Sequence, residues 1–244
     1  MIPKTINYFW FGRKEKPDCV NKCIEIWINK LPDYKIIEWN EDNFDVDCCQ
    51  YVSQAYKSGK FAFVSDYARI YVLYNYGGVY FDTDIEVVDA FGELLENNKM
   101  VLGFEDNHYV LTAFMAAEPG LDCFKDLLDE YNRKKFITED GRMDTLPNPV
   151  IVTKYMEKYG LNPNGKRQTF GDKFEIYPVE VFSAYNIAFQ RIERTKSTKL
   201  IHHCMGSWQT QRDKIKPFIK SVLVRAIGLE RFEKIKNRVR GSGL

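Results

Sequence analysis

Asp82 and Asp84 flank Thr83 directly after the bulky run Val79-Tyr80-Phe81. In extended chain alternate side chains share a face, so carboxylates at this spacing can address one cation. Oxygen donors suit Mg²⁺ or Mn²⁺, which keep positions open for water and phosphate. Such a cation neutralises charge that grows on a departing diphosphate. One predicted helix earlier, Asp66 and Arg69 stand three apart and share a helical face. An arginine fork grips phosphate, and an aspartate accepts hydrogen bonds from hydroxyl groups. A lone D-x-D is common by chance, and a lone Asp–Arg pair is usually a surface ion pair of little worth. The weight lies in their order, with Gly77-Gly78 between them to let the chain turn sharply.

The elements that must position these residues follow from periodicity. Ile2 to Phe11 reads as a strand, and Asp18 can cap a helix carrying Val20, Cys23, Trp27 and Ile28 that stops near Pro32. Tyr34 to Trp39 reads as a second strand, and a helix with Tyr51 and Ala55 breaks at Gly59. Phe63 to Tyr76 reads as a helix and Val79 to Phe81 as a third strand. Strands alternating with helices predict a largely parallel sheet covered on both faces. Ligands in such sheets bind beyond the carboxyl ends of strands, where Trp10-Phe11-Gly12 and Asp82-Thr83-Asp84 both fall. Further on, Met100–Glu105, Tyr109–Ala117, Phe174–Val179 and Lys199–His203 read as strands. Leu121–Asn132 reads as a helix, and Thr138–Pro149 as a polar surface loop.

The chain of 244 residues is long enough to bury a sizeable core, and 45% hydrophobic with 28% charged residues excludes a disordered chain. A net charge of +1 disfavours nucleic acid as partner, but the charge is uneven. From Lys214 to Leu244 nine Lys and Arg face two Glu, which leaves the rest acidic. No stretch reaches the roughly 18 apolar residues that span a bilayer. No apolar run follows a basic start as in an export signal, and the six cysteines lack C-x-x-C spacing. The expectation is a cytoplasmic protein with free thiols.

The ordered set S-D-x-x-R (Ser65 to Arg69) and Y-x-x-G-G-x-Y-x-D-x-D (Tyr74 to Asp84) resembles the central motif of glycosyltransferase family 32. That family includes bacterial capsular-polysaccharide enzymes and fungal mannosyltransferases, and it is related to the clostridial glucosylating toxins. Ile2-Pro3-Lys4-Thr5-Ile6-Asn7-Tyr8-Phe9-Trp10-Phe11-Gly12 is similar to its opening I-P-K-x-I-H-x-x-W-x-G, with Asn7 where many members carry His. His202-His203-Cys204-Met205-Gly206-Ser207-Trp208 is similar to its H-H-x-x-G-S-W. The resemblance frames a domain over 1–212 and implies a GT-A fold, Mn²⁺ (or Mg²⁺), and retaining transfer from a nucleotide-sugar, UDP-linked by preference, to a glycan. By the same resemblance Trp10 stacks on the donor base, with Gly12 leaving room beside it. Asp66 and Arg69 hold the donor sugar and phosphate. Asp82 meets the ribose or the metal, and Asp84 binds the metal directly. Ser207 and Trp208 close over the diphosphate, and one of the two histidines, with His203 favoured, completes the metal shell.

Glu105 and Asp106, just past a predicted strand, are candidates to bind or assist the acceptor. Residues 213–244 read as a basic amphipathic tail, either packed on the domain or laid on an anionic membrane. Membrane contact would suit a lipid-linked acceptor in surface or capsular polysaccharide synthesis, with the protein peripheral on the inner face of the membrane. Two other readings stand beside the transferase. One is an inactive nucleotide-sugar-binding module. The other is a D-x-D phosphatase, which expects Thr or Val where Glu86 stands.

Overall fold

The computed structural model describes residues 1–186 and 191–204. The expectations for Ser207, Trp208 and the tail lie outside the described residues. The strands are β1 (Thr5–Phe9), β2 (Lys35–Trp39), β3 (Gly78–Phe81), β4 (Ile85–Val87), β5 (Met100–Phe104) and β6 (Val110–Ala117). They continue with β7 (Gln168–Phe170), β8 (Phe174–Tyr177), β9 (Tyr185–Asn186), β10 (Arg191–Ile192) and β11 (Leu200–His202). The helices are α1 (Asp18–Lys30), α2 (Gln50–Lys57), α3 (Phe61–Tyr76), α4 (Gly92–Leu95), α5 (Asp122–Arg133), α6 (Asn148–Lys158) and α7 (Val179–Phe182).

The central sheet has seven strands in the order β2-β1-β3-β6-β5-β8-β7. Five run the same way, while β6 and β7 run against them. The sheet is therefore mostly parallel, as the strand–helix alternation predicts. Two small ladders stand apart: β9 with β10, and β4 with β11. The second ladder matters most here, because it ties the segment after Asp84 to a strand more than a hundred residues later.

Alternating side chains build one core on each face of the sheet. In β3, Tyr80 enters the cluster that includes Val64, Ala68 and Val72 of α3 and Leu127 and Tyr131 of α5. Val79 and Phe81 enter the opposite cluster, with Trp27 of α1, Phe91 and Phe182. All eight residues of β6 are buried, which fits a strand in the middle of a doubly covered sheet. Phe114 of that strand stacks on Phe182 with ring centroids 4.2 Å apart. Each large side chain buried this way is worth about 1.5–3 kcal/mol.

The junction from α3 to β3 needs its two glycines. Gly77 and Gly78 have φ of 65° and 100°. A Cβ on Gly77 would stand 2.7 Å from Pro119 Cδ, and one on Gly78 2.7 Å from the Thr5 carbonyl oxygen. Asn7 braces the same corner from below: its Nδ2 reaches the carbonyls of Gly77 and Val79, each at 3.3 Å. Its Oδ1 accepts from Trp39 Nε1 at 2.9 Å. With 1% exposure, Asn7 joins three adjacent strands and has no access to a ligand.

Three element expectations change. Asp18 lies in the first turn of α1 behind Pro17 and makes no side-chain cap bond. The stretch read as a loop to Pro149 already contains the start of α6, which has Pro in its first turn. Asp82-Thr83-Asp84 is a turn and not extended chain, with the Ile85 amide donating to the Asp82 carbonyl at 3.1 Å.

Candidate active site

The carboxyl ends of the neighbouring parallel strands β1 and β3 deliver Trp10 and Asp82 to one edge of the sheet. Arg69 projects toward that edge from α3 and is 5% exposed. Its guanidinium meets Asp66 Oδ1 at 2.9 Å and Asp82 Oδ1 at 3.4 Å. Its other nitrogens donate to the carbonyls of Thr112 at 2.8 Å and Ser65 at 3.2 Å. The Tyr80 ring lies under it, 4.7 Å from centroid to Cζ, and the Tyr80 hydroxyl donates to Asp82 Oδ1. An arginine held on so many sides is a rigid positive anchor, not a mobile surface charge.

Asp82, Asp84 and His202 form the metal-capable group among the described residues, each offering one ligand atom and all within 4.8 Å of one another. His202 Nε2 stands 3.4 Å from Asp84 Oδ1, with side-chain exposures of 12% and 14%. Two carboxylates and one imidazole make a mixed oxygen and nitrogen donor set suited to a divalent cation. His203, the favoured ligand in the sequence reading, is not in this group. Its Nε2 lies 2.9 Å from Glu86 Oε2, and Glu86 also meets Arg194. Consecutive residues at a strand end point apart, and the pairing of β11 with β4 sends His202 to the aspartates.

The charge balance fits the same reading. Asp66, Asp82, Asp84 and Glu105 gather around Arg69 and His202, leaving anionic excess for a divalent ion to offset. Burial, with repulsion from Asp82, lifts the Asp66 carboxyl to about 6 despite Arg69 beside it. Glu105 is raised as well, first by burial and then by Asp106 and Asp82, while His202 and Arg69 oppose the shift. For His202 burial pulls downward, but the contacts with Asp84 and Cys204 outweigh it and hold the imidazole well above its usual value.

Of the acceptor-side pair, Glu105 lies near enough to feel the charges of His202, Asp82 and Arg69. Asp106 instead caps the β5–β6 turn, its Oδ1 accepting from the amides of His108 at 2.7 Å and Tyr109 at 2.8 Å. Trp10 is half-buried and belongs to neither core, and its indole donates to the Lys14 carbonyl at 2.5 Å. Gly12 has φ of 95°, and a Cβ there would run into the ring of Phe61. Its backbone angle and the Phe61 ring of α3 thus both call for glycine here. Its amide donates to Glu41 Oε1 at 2.6 Å.

Tyr80 was missed by the sequence reading, although the signal was present. It stands on the last turn-ward stretch of β3 two residues before Asp82, close enough for its hydroxyl to reach that carboxylate. Trp27 was read only as a core residue. Its indole also donates to the Ile85 carbonyl at 2.7 Å and so pins the chain just after the D-x-D turn.

Residues 17–101 match a family described as "Glycosyltransferase sugar-binding region containing DXD motif". The matched segment covers about a third of the chain and takes in Asp66, Arg69 and the D-x-D turn. No curated protein sequence matches it. Among solved structures, the PaToxG glycosyltransferase is 17% identical with a TM-score of 0.50, over 64% of this chain and 69% of that one. The chain shares the fold of that protein. Two further solved structures are a glycosyltransferase involved in glycosylation of the major capsid of PBCV-1 and an active-site mutant of LgtC. The first is 10% identical with a TM-score of 0.46, over 88% of this chain and 98% of that one. The second is 12% identical with a TM-score of 0.44, over 91% and 95%. The fold is the GT-A type, a mostly parallel seven-stranded sheet flanked by helices.

Proposed function

We propose that this glycosyltransferase moves a hexose or N-acetylhexosamine from a nucleotide-sugar, UDP-linked by preference, to a glycan acceptor with retention at the anomeric carbon. The observation that carries the reading is the meeting of Asp82, Asp84 and His202 beside the Asp66–Arg69 pair. The first three suit Mn²⁺, with Mg²⁺ a weaker fit because of the imidazole. A divalent ion held there acts as a Lewis acid on the diphosphate leaving group.

The remaining roles belong to the chain itself. Trp10 offers a flat face for the donor base at the end of β1. Arg69, braced by Thr112, Ser65 and Tyr80, presents fixed positive charge toward phosphate. Asp66 takes the sugar hydroxyls as hydrogen-bond acceptor. In the transfer, the acceptor oxygen bonds to the anomeric carbon as the bond from that carbon to the phosphate oxygen breaks. The electron pair leaves with the phosphate, and the hydroxyl proton passes to a phosphate oxygen on the same face. Glu105 is assigned to hold or assist the incoming hydroxyl. Ser207 and Trp208 are proposed to close over the diphosphate.

The resemblance to family 32 supports a place in surface or capsular polysaccharide synthesis at the cytoplasmic face of a membrane. The basic tail, 213–244, would then rest on anionic lipid near a lipid-linked acceptor. Among the described residues no helix is long and apolar enough to cross a membrane. Calorimetric titration with UDP tests the donor site. Binding should require Mn²⁺, vanish with chelator, and be lost in Asp84→Ala. Equal binding in all three conditions would refute the metal role.

A further inference from the structure

We propose that Cys204 is a positioning residue for the metal site, holding the His202 ring so that Nε2 faces Asp82 and Asp84. The inference rests on reading those three residues as metal ligands. Each ring nitrogen of His202 has a partner: Asp84 Oδ1 stands 3.4 Å from Nε2, and Cys204 Sγ stands 3.4 Å from Nδ1. The thiol also lies 3.5 Å from the carbonyl oxygen of His202 itself. Cys204 has φ of 52°, which folds the chain back and brings its side chain over the residue two before it.

The proton arrangement follows from these contacts. To bind a cation through Nε2, His202 must carry its proton on Nδ1, because only a nitrogen with a free lone pair can ligate. Nδ1–H then donates to Sγ, and the S–H donates to the His202 carbonyl. With no cation, the protonated imidazole directs Nε2–H to Asp84 and keeps Nδ1–H on Sγ. The sulfur therefore accepts the same hydrogen bond in both states without moving. Partners of this kind on a ligating histidine typically change metal affinity about 10–100-fold when removed. In the pattern H-H-x-x-G-S-W this position is the first of the two unspecified places, so the assignment is particular to this sequence.

The test uses the full chain, with Mn²⁺ binding followed through the electron paramagnetic resonance signal of free Mn²⁺. Cys204→Ala should weaken Mn²⁺ binding about tenfold, whereas Cys204→Ser, which can still donate and accept, should stay close to the parent. If the alanine variant does not fold, Cys204→Gly removes the sulfur at a backbone angle that glycine adopts freely. Co²⁺ loading of the parent should give no sulfur-to-cobalt charge-transfer band, because sulfur touches the ring and not the ion. Unchanged Mn²⁺ affinity in both the alanine and glycine variants would overturn the proposal. So would a cobalt band that disappears in Cys204→Ser, since sulfur would then be a ligand itself. If His202→Ala and Asp84→Ala also bind Mn²⁺ like the parent, the ligand assignment falls first and takes this inference with it.

Discussion

At the scale of single residues, Asp66 carries the clearest pH signature. Its carboxyl is lifted to about 6 by burial, above the ordinary value of 3.8. Between those two values the folded chain holds a proton that the unfolded chain releases, so this group's contribution to stability falls as pH rises through that window. In the metal-free protein, Asp66→Asn should remove this component. The parent should therefore lose stability relative to the variant between about pH 4 and 6, read as diverging melting temperatures. Parallel curves would contradict the burial argument. Asp66, Arg69, Asp82 and Asp84 were all legible in the sequence, since their types and spacing alone limit what they can do. The choice between His202 and His203 was not legible. Neighbours on a short strand point opposite ways, and only the register against β4 decides which one meets the aspartates.

At the scale of elements, the D-x-D turn is held by parts far from it in sequence. β4 has three residues, too few to show a period, and it exists because β11 pairs with it and Trp27 of α1 bonds its first carbonyl. The longer strands and helices were readable because each buries one or both faces across several residues. α6 was hidden by a polar stretch whose last proline is in fact a helix-start residue. Trp27→Phe keeps an aromatic ring but leaves the Ile85 carbonyl without its donor, a loss of about 1–3 kcal/mol. The variant should melt at lower temperature and bind Mn²⁺ more weakly, although residue 27 touches no ligand. A stability loss with unchanged Mn²⁺ affinity would show that the turn does not depend on this bond.

At the scale of the whole molecule, sequence alternation foretold a covered, mostly parallel sheet, and five of seven strands obey it. The reversal of β6 between β3 and β5 was not legible, because an all-buried strand has the same sequence character in either direction. Charge is divided in the sequence too, with an acidic body and a basic tail. Removing residues 213–244 should release the protein from anionic vesicles while donor hydrolysis continues. Retained sedimentation with vesicles would end the membrane role proposed for that segment.

If Asp82, Asp84 and His202 hold a cation for cleavage of a nucleotide-sugar, nucleotide release must depend on that cation and on Asp84. A panel of UDP- and GDP-sugars is incubated with the purified chain, with Mn²⁺ or with chelator, beside Asp84→Ala. One nucleotide should be released, from a UDP-sugar, in a reaction that needs Mn²⁺ and falls at least a hundredfold, about 2.7 kcal/mol in barrier, in the variant. Release that is indifferent to chelator and to Asp84, or no release from any donor, would contradict it.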